Sequence, residues 1–184
     1  MKEEIRKKII NLRKNFKNSE EHSKLIADRF FSLPETQKAR TFLFYYPHKN
    51  EVNTIPIIEK LMEQNKAILL PKVEKDRILP IFISNLSELK EGFAGIKEPS
   101  GEEYPKEKID IVVVPAVAFD RKGYRIGYGK GYYDRFLSDY KGLKIGLAYQ
   151  FQLMEKLPHE EHDVPVDIVI TPFEIIRVKE EKNG

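Results

Sequence analysis

The sequence predicts an α/β protein with a mostly parallel sheet and helices on both faces. Its clearest sign is the order "TFLFYYP", a helical period, then "AILLP". That is the strand, helix, strand order of a βαβ unit, whose crossover lets the two strands lie parallel. A second sign is "DIVVVPAVAF", an apolar run without alternation, as in a strand covered on both faces. Helical stretches then continue to alternate with apolar runs as far as "VDIVIT". With 184 residues, 41% of them hydrophobic, the chain is long enough for a real core. A single domain over residues 1–184 is expected.

Ile5, Ile9, Leu12 and Phe16 recur at helical spacing, which predicts an amphipathic helix over 3–16. Lys2 and Arg6, four apart, share a face beside that stripe. Ser19 with Glu20 and Glu21 reads as a cap and first turn of a second helix to about Phe31, ended by "LPETQ". "TFLFYYP" is a strand by its aromatic and β-branched content, and Pro47 stops it. Asn53 is placed to cap a helix through Ile57, Ile58, Leu61 and Met62, with Pro56 tolerated in its first turn. "AILLP" and "RILPIFI" read as further strands. Residues 84–108 are rich in Gly, Pro and charge and show no sustained period. They predict a long surface connection, either a decorated loop or a flap over a site. After "DIVVVPAVAF" come a charged "DRKG" turn, "RIGYGKGYYDR", and a helix through Tyr133, Phe136, Leu137 and Tyr140. A strand "KIGLAY", a helix or turn at "QLMEKLP" and the strand "VDIVIT" complete the order.

Composition narrows the function. The formal charge is +3, from 32 basic and 29 acidic residues, whereas a protein built to coat nucleic acid carries a more one-sided excess. Basic residues still cluster, seven of them within residues 1–17 and five within 121–135. Two local clusters on a balanced chain fit a small anionic ligand better than a long polyanion. Eleven Phe and nine Tyr argue against disorder. No apolar run approaches the roughly 20 residues of a membrane span. "MKEEIRKKIINLRKNF" has no apolar signal core, so a cytoplasmic protein is expected. The absence of cysteine rules out disulfides and thiolate metal sites.

"RIGYGKGYYDR" holds three glycines, three tyrosines, a lysine and two arginines in eleven residues. Gly127, Gly129 and Gly131 allow a sharply bent backbone whose amides approach a ligand, and a helix N-terminus behind them favours an anion. Lys130 adds a mobile point charge; Arg125 and Arg135 can add bidentate contacts. The segment is not a P-loop, because Gly131 rather than Ser or Thr follows Lys130, and it is not the dinucleotide fingerprint. Read without relatives, it remains open between a phosphate site, a solvated turn and a single-strand nucleic-acid platform built on Tyr128, Tyr132 and Tyr133.

Asp134 lies within a helical turn of that loop, and "HEEHDVPVD" supplies His159, His162, Asp163 and further carboxylates. Flanking prolines and the lack of thiolates speak against zinc. A solvated acidic turn competes with a role for carboxylates in holding Mg²⁺ beside phosphates. Glu51, just beyond the first strand, is suited to a heterocycle with several N–H donors, while neighbouring His48 reads as a surface residue. The loops after "TFLFYY", "VVVPAVAF" and "GLAY" should converge at the strand ends.

These segments resemble the 5-formyltetrahydrofolate cyclo-ligase family. The resemblance spans nearly the whole chain: Lys2 and Arg6, "FYYPHKNEVNT", "VVVPAVAFDRKGYRIGYGKGYYDRFL", "GLAY" and "EEHDVPVDIVIT". It implies a three-layer α/β/α fold and ATP- and Mg²⁺-dependent closure of 5-formyltetrahydrofolate to 5,10-methenyltetrahydrofolate. It assigns Lys2, Arg6, Arg125, Ile126, Gly127, Tyr128, Gly129, Lys130, Gly131, Tyr132 and Tyr133 to the nucleotide. Tyr46, Glu51 and residues Tyr128 through Tyr132 go to the folate, and Asp134 and Asp163 to magnesium. The catalytic work falls to Lys130 and Arg125 with the glycine amides. No nucleic acid, membrane or obligate protein partner is implied.

Overall fold

The computed structural model of the protein describes residues 1–179. Helices α1 (Lys2–Lys14), α2 (Ser19–Ser32) and the short α3 (Pro34–Lys38) come first, followed by β1 (Thr41–Leu43) and α4 (Ile55–Glu63). A hairpin of β2 (Ala67–Glu74) and β3 (Arg77–Ile83) leads to a second, very short one of β4 (Lys90–Glu91) and β5 (Lys97–Glu98). Then come β6 (Ile111–Val114), β7 (Ala118–Asp120), β8 (Arg125–Ile126), α5 (Tyr132–Leu137), β9 (Leu143–Leu147) and β10 (Leu153–Met154). β11 (Ile168–Ile170) and β12 (Ile175–Arg177) complete the order.

The main sheet has the order β12-β11-β9-β6-β1-β2-β3. Its five middle strands run parallel, and β3 and β12 close the edges antiparallel. The two-residue side-chain period divides each middle strand between two layers. Phe42, Phe44, Ile68, Leu70 and Val113 pack against Ile26 and Phe30 of α2 and Ile57, Ile58 and Leu61 of α4. Leu43, Leu69, Val112 and Val114 face Phe136 and Leu137 of α5, with Tyr140 just beyond it. The protein is therefore a three-layer α/β/α structure.

The structure redraws several elements. "DIVVVPAVAF" is not one strand: β6 ends at Val114, Pro115 interrupts pairing, and β7 joins a separate small sheet of order β10-β7-β8. Proline has no N–H to give a ladder, and here the break sends the chain out of the main sheet. The small sheet still lies against the main one, because Gly146 of β9 leaves room for the Phe119 ring, 2.4 Å from where a Cβ would stand. The "DRKG" turn is a tight hairpin organised by buried Asp120. Its Oδ1 accepts from the amides of Lys122 and Tyr124, and its Oδ2 from that of Leu157.

Ser19 is the first residue of α2 rather than its cap, and Thr54 rather than Asn53 precedes α4, although Asn53 Oδ1 does accept the Ile55 amide at 3.1 Å. "LPETQ" opens α3, with Pro34 at its first turn. The predicted stripe on α1 is displaced: Leu12 is 43% exposed, and the buried positions are Ile9 and Arg13. Residues 84–108 form a long connection that carries the β4–β5 hairpin, with a bridge between Ile81 and Glu103.

Candidate active site

A cavity of about 590 Å³ opens between α1, the loop after β1, the β2–β3 hairpin and the segment from β8 into α5. The structure brings to its wall each residue assigned above: Lys2, Arg6, Tyr46, Glu51, the run Arg125–Asp134, and Asp163. Three loops from strand ends do converge. Tyr149, just after β9, donates its hydroxyl to the Glu51 carbonyl at 3.2 Å, and Glu51 in turn meets Tyr128.

The glycine loop is bent as its sequence requires. Gly129 and Gly131 have φ of 97° and 70°, in the left-handed region that favours glycine. α5 is six residues long, so its dipole is small, and attraction for an anion rests on loop amides and side-chain charge. Those charges are held differently. Arg6 crosses from α1 to donate Nε to the Gly127 carbonyl at 2.8 Å and also pairs with Glu3. Arg135 is not a surface ornament: it donates to the carbonyls of Lys130 and Asp76, tying the loop to the β2–β3 turn. The Lys130 side chain is exposed and makes no hydrogen bond or ion pair among the described residues. It is the exposed charge of the loop.

Arg125 is the fixed one. Buried on β8, it donates Nη2 to Asp134 Oδ1 at 3.4 Å and Nη1 to the Pro115 carbonyl at 3.3 Å, and its guanidinium lies 5.7 Å from the Tyr133 ring centre. Burial pulls its pKa below the ordinary value, with the charge of Asp134 opposing. Its Nε is buried without a partner among the described residues, so one donor is left over in this wall. Tyr132 and Tyr133 both pack against the core layer under α5 while lining the cavity, so neither is solely core or solely platform.

On the opposite side Glu51 is held by its surroundings. Its Oε1 accepts the His48 amide at 2.8 Å and its Oε2 accepts the Tyr128 hydroxyl at 2.7 Å. Burial pushes the carboxyl above its ordinary pKa, while Tyr128 and Arg13 pull the other way. Burial and the Glu51 charge push the Tyr128 phenol well above its ordinary range, so it stays a donor.

Asp134 and Asp163 already have partners. Asp134 Oδ1 accepts from Arg125 and from the Val164 amide at 3.3 Å; Asp163 Oδ2 accepts from Lys2 at 3.2 Å and from the Glu160 amide at 2.8 Å. Burial pushes Asp163 up, but the Glu160 amide and the Lys2 ammonium outweigh it and hold the carboxyl below its usual value. Lys2 is thus an anchored first residue of α1. In each carboxylate the second oxygen is left for another ligand, save for His162 lying 3.5 Å from Asp163 Oδ1. Two such oxygens suit a hard cation that takes its other ligands from water and phosphate. Among the described residues no group of three or more His, Cys, Asp and Glu is arranged for a metal. His159 instead stacks on Tyr124 at 3.6 Å.

Besides Pro71, Val73 and Ile78 of the β2–β3 hairpin, two parts of the wall escaped the sequence. Arg13 is 2% exposed and donates to Tyr128 and to the Lys49 carbonyl. The steps from Arg6 through Ile10 to Arg13 are four and three, so the face that carries Lys2 and Arg6 could have been followed one turn further. Ala94, Ile96 and Glu98 of the β4–β5 hairpin form the other part. Nothing in the composition of residues 84–108 separates these three from their neighbours.

An exposed lysine on a glycine loop and a half-buried carboxylate line one tyrosine-rich cavity at the strand ends of an α/β fold, an arrangement of the kind an α/β enzyme presents. Comparison with known proteins makes this specific. The chain belongs to the 5-formyltetrahydrofolate cyclo-ligase family, whose model matches residues 1–172. It is 33% identical over 181 residues to the 5-formyltetrahydrofolate cyclo-ligase of Haemophilus influenzae, covering 92% of this chain and 97% of that one. The Escherichia coli K12 enzyme of the same name is 34% identical over 158 residues, 81% of this chain and 87% of its own. Among solved structures, the Aquifex aeolicus 5,10-methenyltetrahydrofolate synthetase superposes with a TM-score of 0.87 at 40% identity, covering 97% of this chain and 93% of that one. The Mycoplasma pneumoniae synthetase gives 0.77 at 28% identity, with 93% and 98% covered.

Proposed function

We propose that the protein catalyses ATP-dependent cyclisation of 5-formyltetrahydrofolate to 5,10-methenyltetrahydrofolate, releasing ADP and phosphate. The observation that supports this most is Tyr128. It belongs to the glycine loop by its backbone and to the Glu51 carboxylate by its hydroxyl, so an anion site and a ring site share one cavity.

An amide oxygen is a poor nucleophile and hydroxide a poor leaving group; transfer of a phosphoryl group solves both problems. The formyl oxygen on N5 attacks the γ-phosphorus as its bond to the bridging oxygen breaks, and ADP departs. N10 then attacks the activated formyl carbon, the carbon–oxygen bond breaks, and phosphate leaves with the N10 proton. The protein's part is alignment and charge stabilisation. Glycine-loop amides and Arg6 hold the nucleotide phosphates, Lys130 follows the moving phosphoryl group, and Arg125 supplies fixed positive charge. Glu51 accepts from pterin N–H groups and Tyr46 lines the ring site. Asp134 and Asp163 would hold Mg²⁺, which when bound neutralises phosphate charge. This route requires no covalent link to the protein.

The test mixes purified protein, Mg-ATP and 5-formyltetrahydrofolate and follows absorbance of the methenyl product. An ATP-dependent rise with one ADP per product is expected. Absence of that rise, together with tight, salt-sensitive binding of single-stranded RNA, would reverse the reading.

A further inference from the structure

Arg13 has no place in the reaction as described, yet it is a nearly fully buried arginine on the cavity wall. It joins three segments far apart in sequence. Its Nη1 donates to the Tyr128 hydroxyl at 2.6 Å and its Nε to the Lys49 carbonyl at 3.1 Å. Its own carbonyl accepts from Asn50 Nδ2 at 2.7 Å. The turn it grips holds two successive non-glycine residues at positive φ, Lys49 at 49° and Asn50 at 64°, as the β2–β3 turn does at Lys75 and Asp76. Such a turn persists only when its surroundings hold it, and it ends at Glu51. Tyr128 passes the chain on, accepting from Arg13 and donating to Glu51 Oε2 at 2.7 Å.

Each Glu51 oxygen therefore carries one bond from the protein, the His48 amide on Oε1 and Tyr128 on Oε2. A carboxylate offers about four acceptor sites, so one on each oxygen is left for a ligand, in a direction set by the bonds already made. Because Tyr128 stands between Gly127 and Gly129, whatever fixes the loop backbone also fixes its hydroxyl. We infer that Arg13 is a positioning residue: through Tyr128 it aims the Glu51 carboxylate, and it thereby makes occupancy of the glycine loop tighten binding of the folate ring. The inference rests on the folate reading of Glu51. Arg13 and Glu51 also lower the freedom of Tyr128 from both sides, so the coupling is reciprocal, with folate tightening the nucleotide to the same degree.

The experiment is calorimetric titration of 5-formyltetrahydrofolate, with and without Mg-adenylyl imidodiphosphate, into wild type, Tyr128→Phe, Arg13→Met and the double variant. In wild type the analogue should tighten folate binding by about fivefold or more, the lower end of ordinary coupling. In each single variant that gain should fall below about twofold and folate Kd should rise by about tenfold, the cost of a charge-assisted hydrogen bond. The double variant should bind folate no more weakly than the weaker single one, because the residues act in series. A merely structural Arg13 gives additive losses instead, and that overturns the inference, as does wild-type coupling in Tyr128→Phe, which removes a single oxygen and changes no residue of α1. A wild type that binds folate without coupling also overturns it. A wild type that binds no folate at all overturns the functional reading and this inference with it.

Discussion

Replacement of Lys130 by Met removes one positive charge and keeps most of the side-chain stem. In the free protein the ammonium is exposed and unpaired among the described residues. Its loss should therefore change folding stability by no more than about 0.5 kcal/mol, as for ordinary surface substitutions. The catalytic cost is of another size. A unit charge about 4 Å from a unit of developing charge is worth about 4 kcal/mol at an effective dielectric of 20. Loss of a well-placed electrostatic group in other enzymes costs about 3 kcal/mol, so kcat should fall by roughly 100-fold or more. The assay is initial rate of methenyl product at saturating Mg-ATP and folate, beside a thermal melt of the same preparation, with Lys7→Met as an exposed control on α1. Near-wild-type turnover in Lys130→Met would refute the reasoning and return the loop to the status of a decorated turn.

Glu51→Gln should raise folate KM more than it lowers kcat, since recognition of the ring persists from ground state to transition state. The same group predicts a pH effect. Burial raises its pKa above the ordinary 4.5, so on acidification it loses its charge sooner than a free glutamate, and folate KM should climb from that higher pH in wild type and stay flat in Glu51→Gln. Asp134→Asn removes the nearer of the two carboxylate charges that act on buried Arg125, leaving that of Asp163, and should lower stability by about 3 kcal/mol in a chemical melt. In the protein that remains folded, KM for Mg-ATP should rise further than folate affinity falls; equal losses would assign Asp134 a structural role alone.

The architecture was legible where burial is uniform. "IVVV" reads as part of a covered strand because both of its faces are in fact covered, and the strand, helix, strand order marked "AILL" as a strand and left few topologies. It was illegible where a single residue changes direction. Pro115 sits among eight apolar residues, four on either side, and nothing in hydrophobicity alone distinguishes a strand that continues from one that leaves for another sheet. Short edge pieces such as β12, three residues long, lie below any period. The site divides in the same way. The glycine loop and Glu51 are marked by residue type. Arg13 is not, because a buried arginine on an amphipathic helix looks like one more solvated charge until its partners on other elements are known.

The bonds that α1 makes to the cavity span long stretches of chain: 161 positions from Lys2 to Asp163 and 121 from Arg6 to Gly127. This has a bearing on the order of assembly. The helix is synthesised before the segments it closes upon, and it must wait while the sheet forms between them. At equilibrium the wait costs little, because loop-closure entropy rises only by about 0.6 kcal/mol for each doubling of length. In time it costs more, since non-local contacts are the slow ones. The pieces of the cavity can each be present, with their local turns made, while the wall that α1 supplies is still missing. The cavity wall is thus expected to be completed late, when the N-terminal helix docks rather than when the sheet is complete.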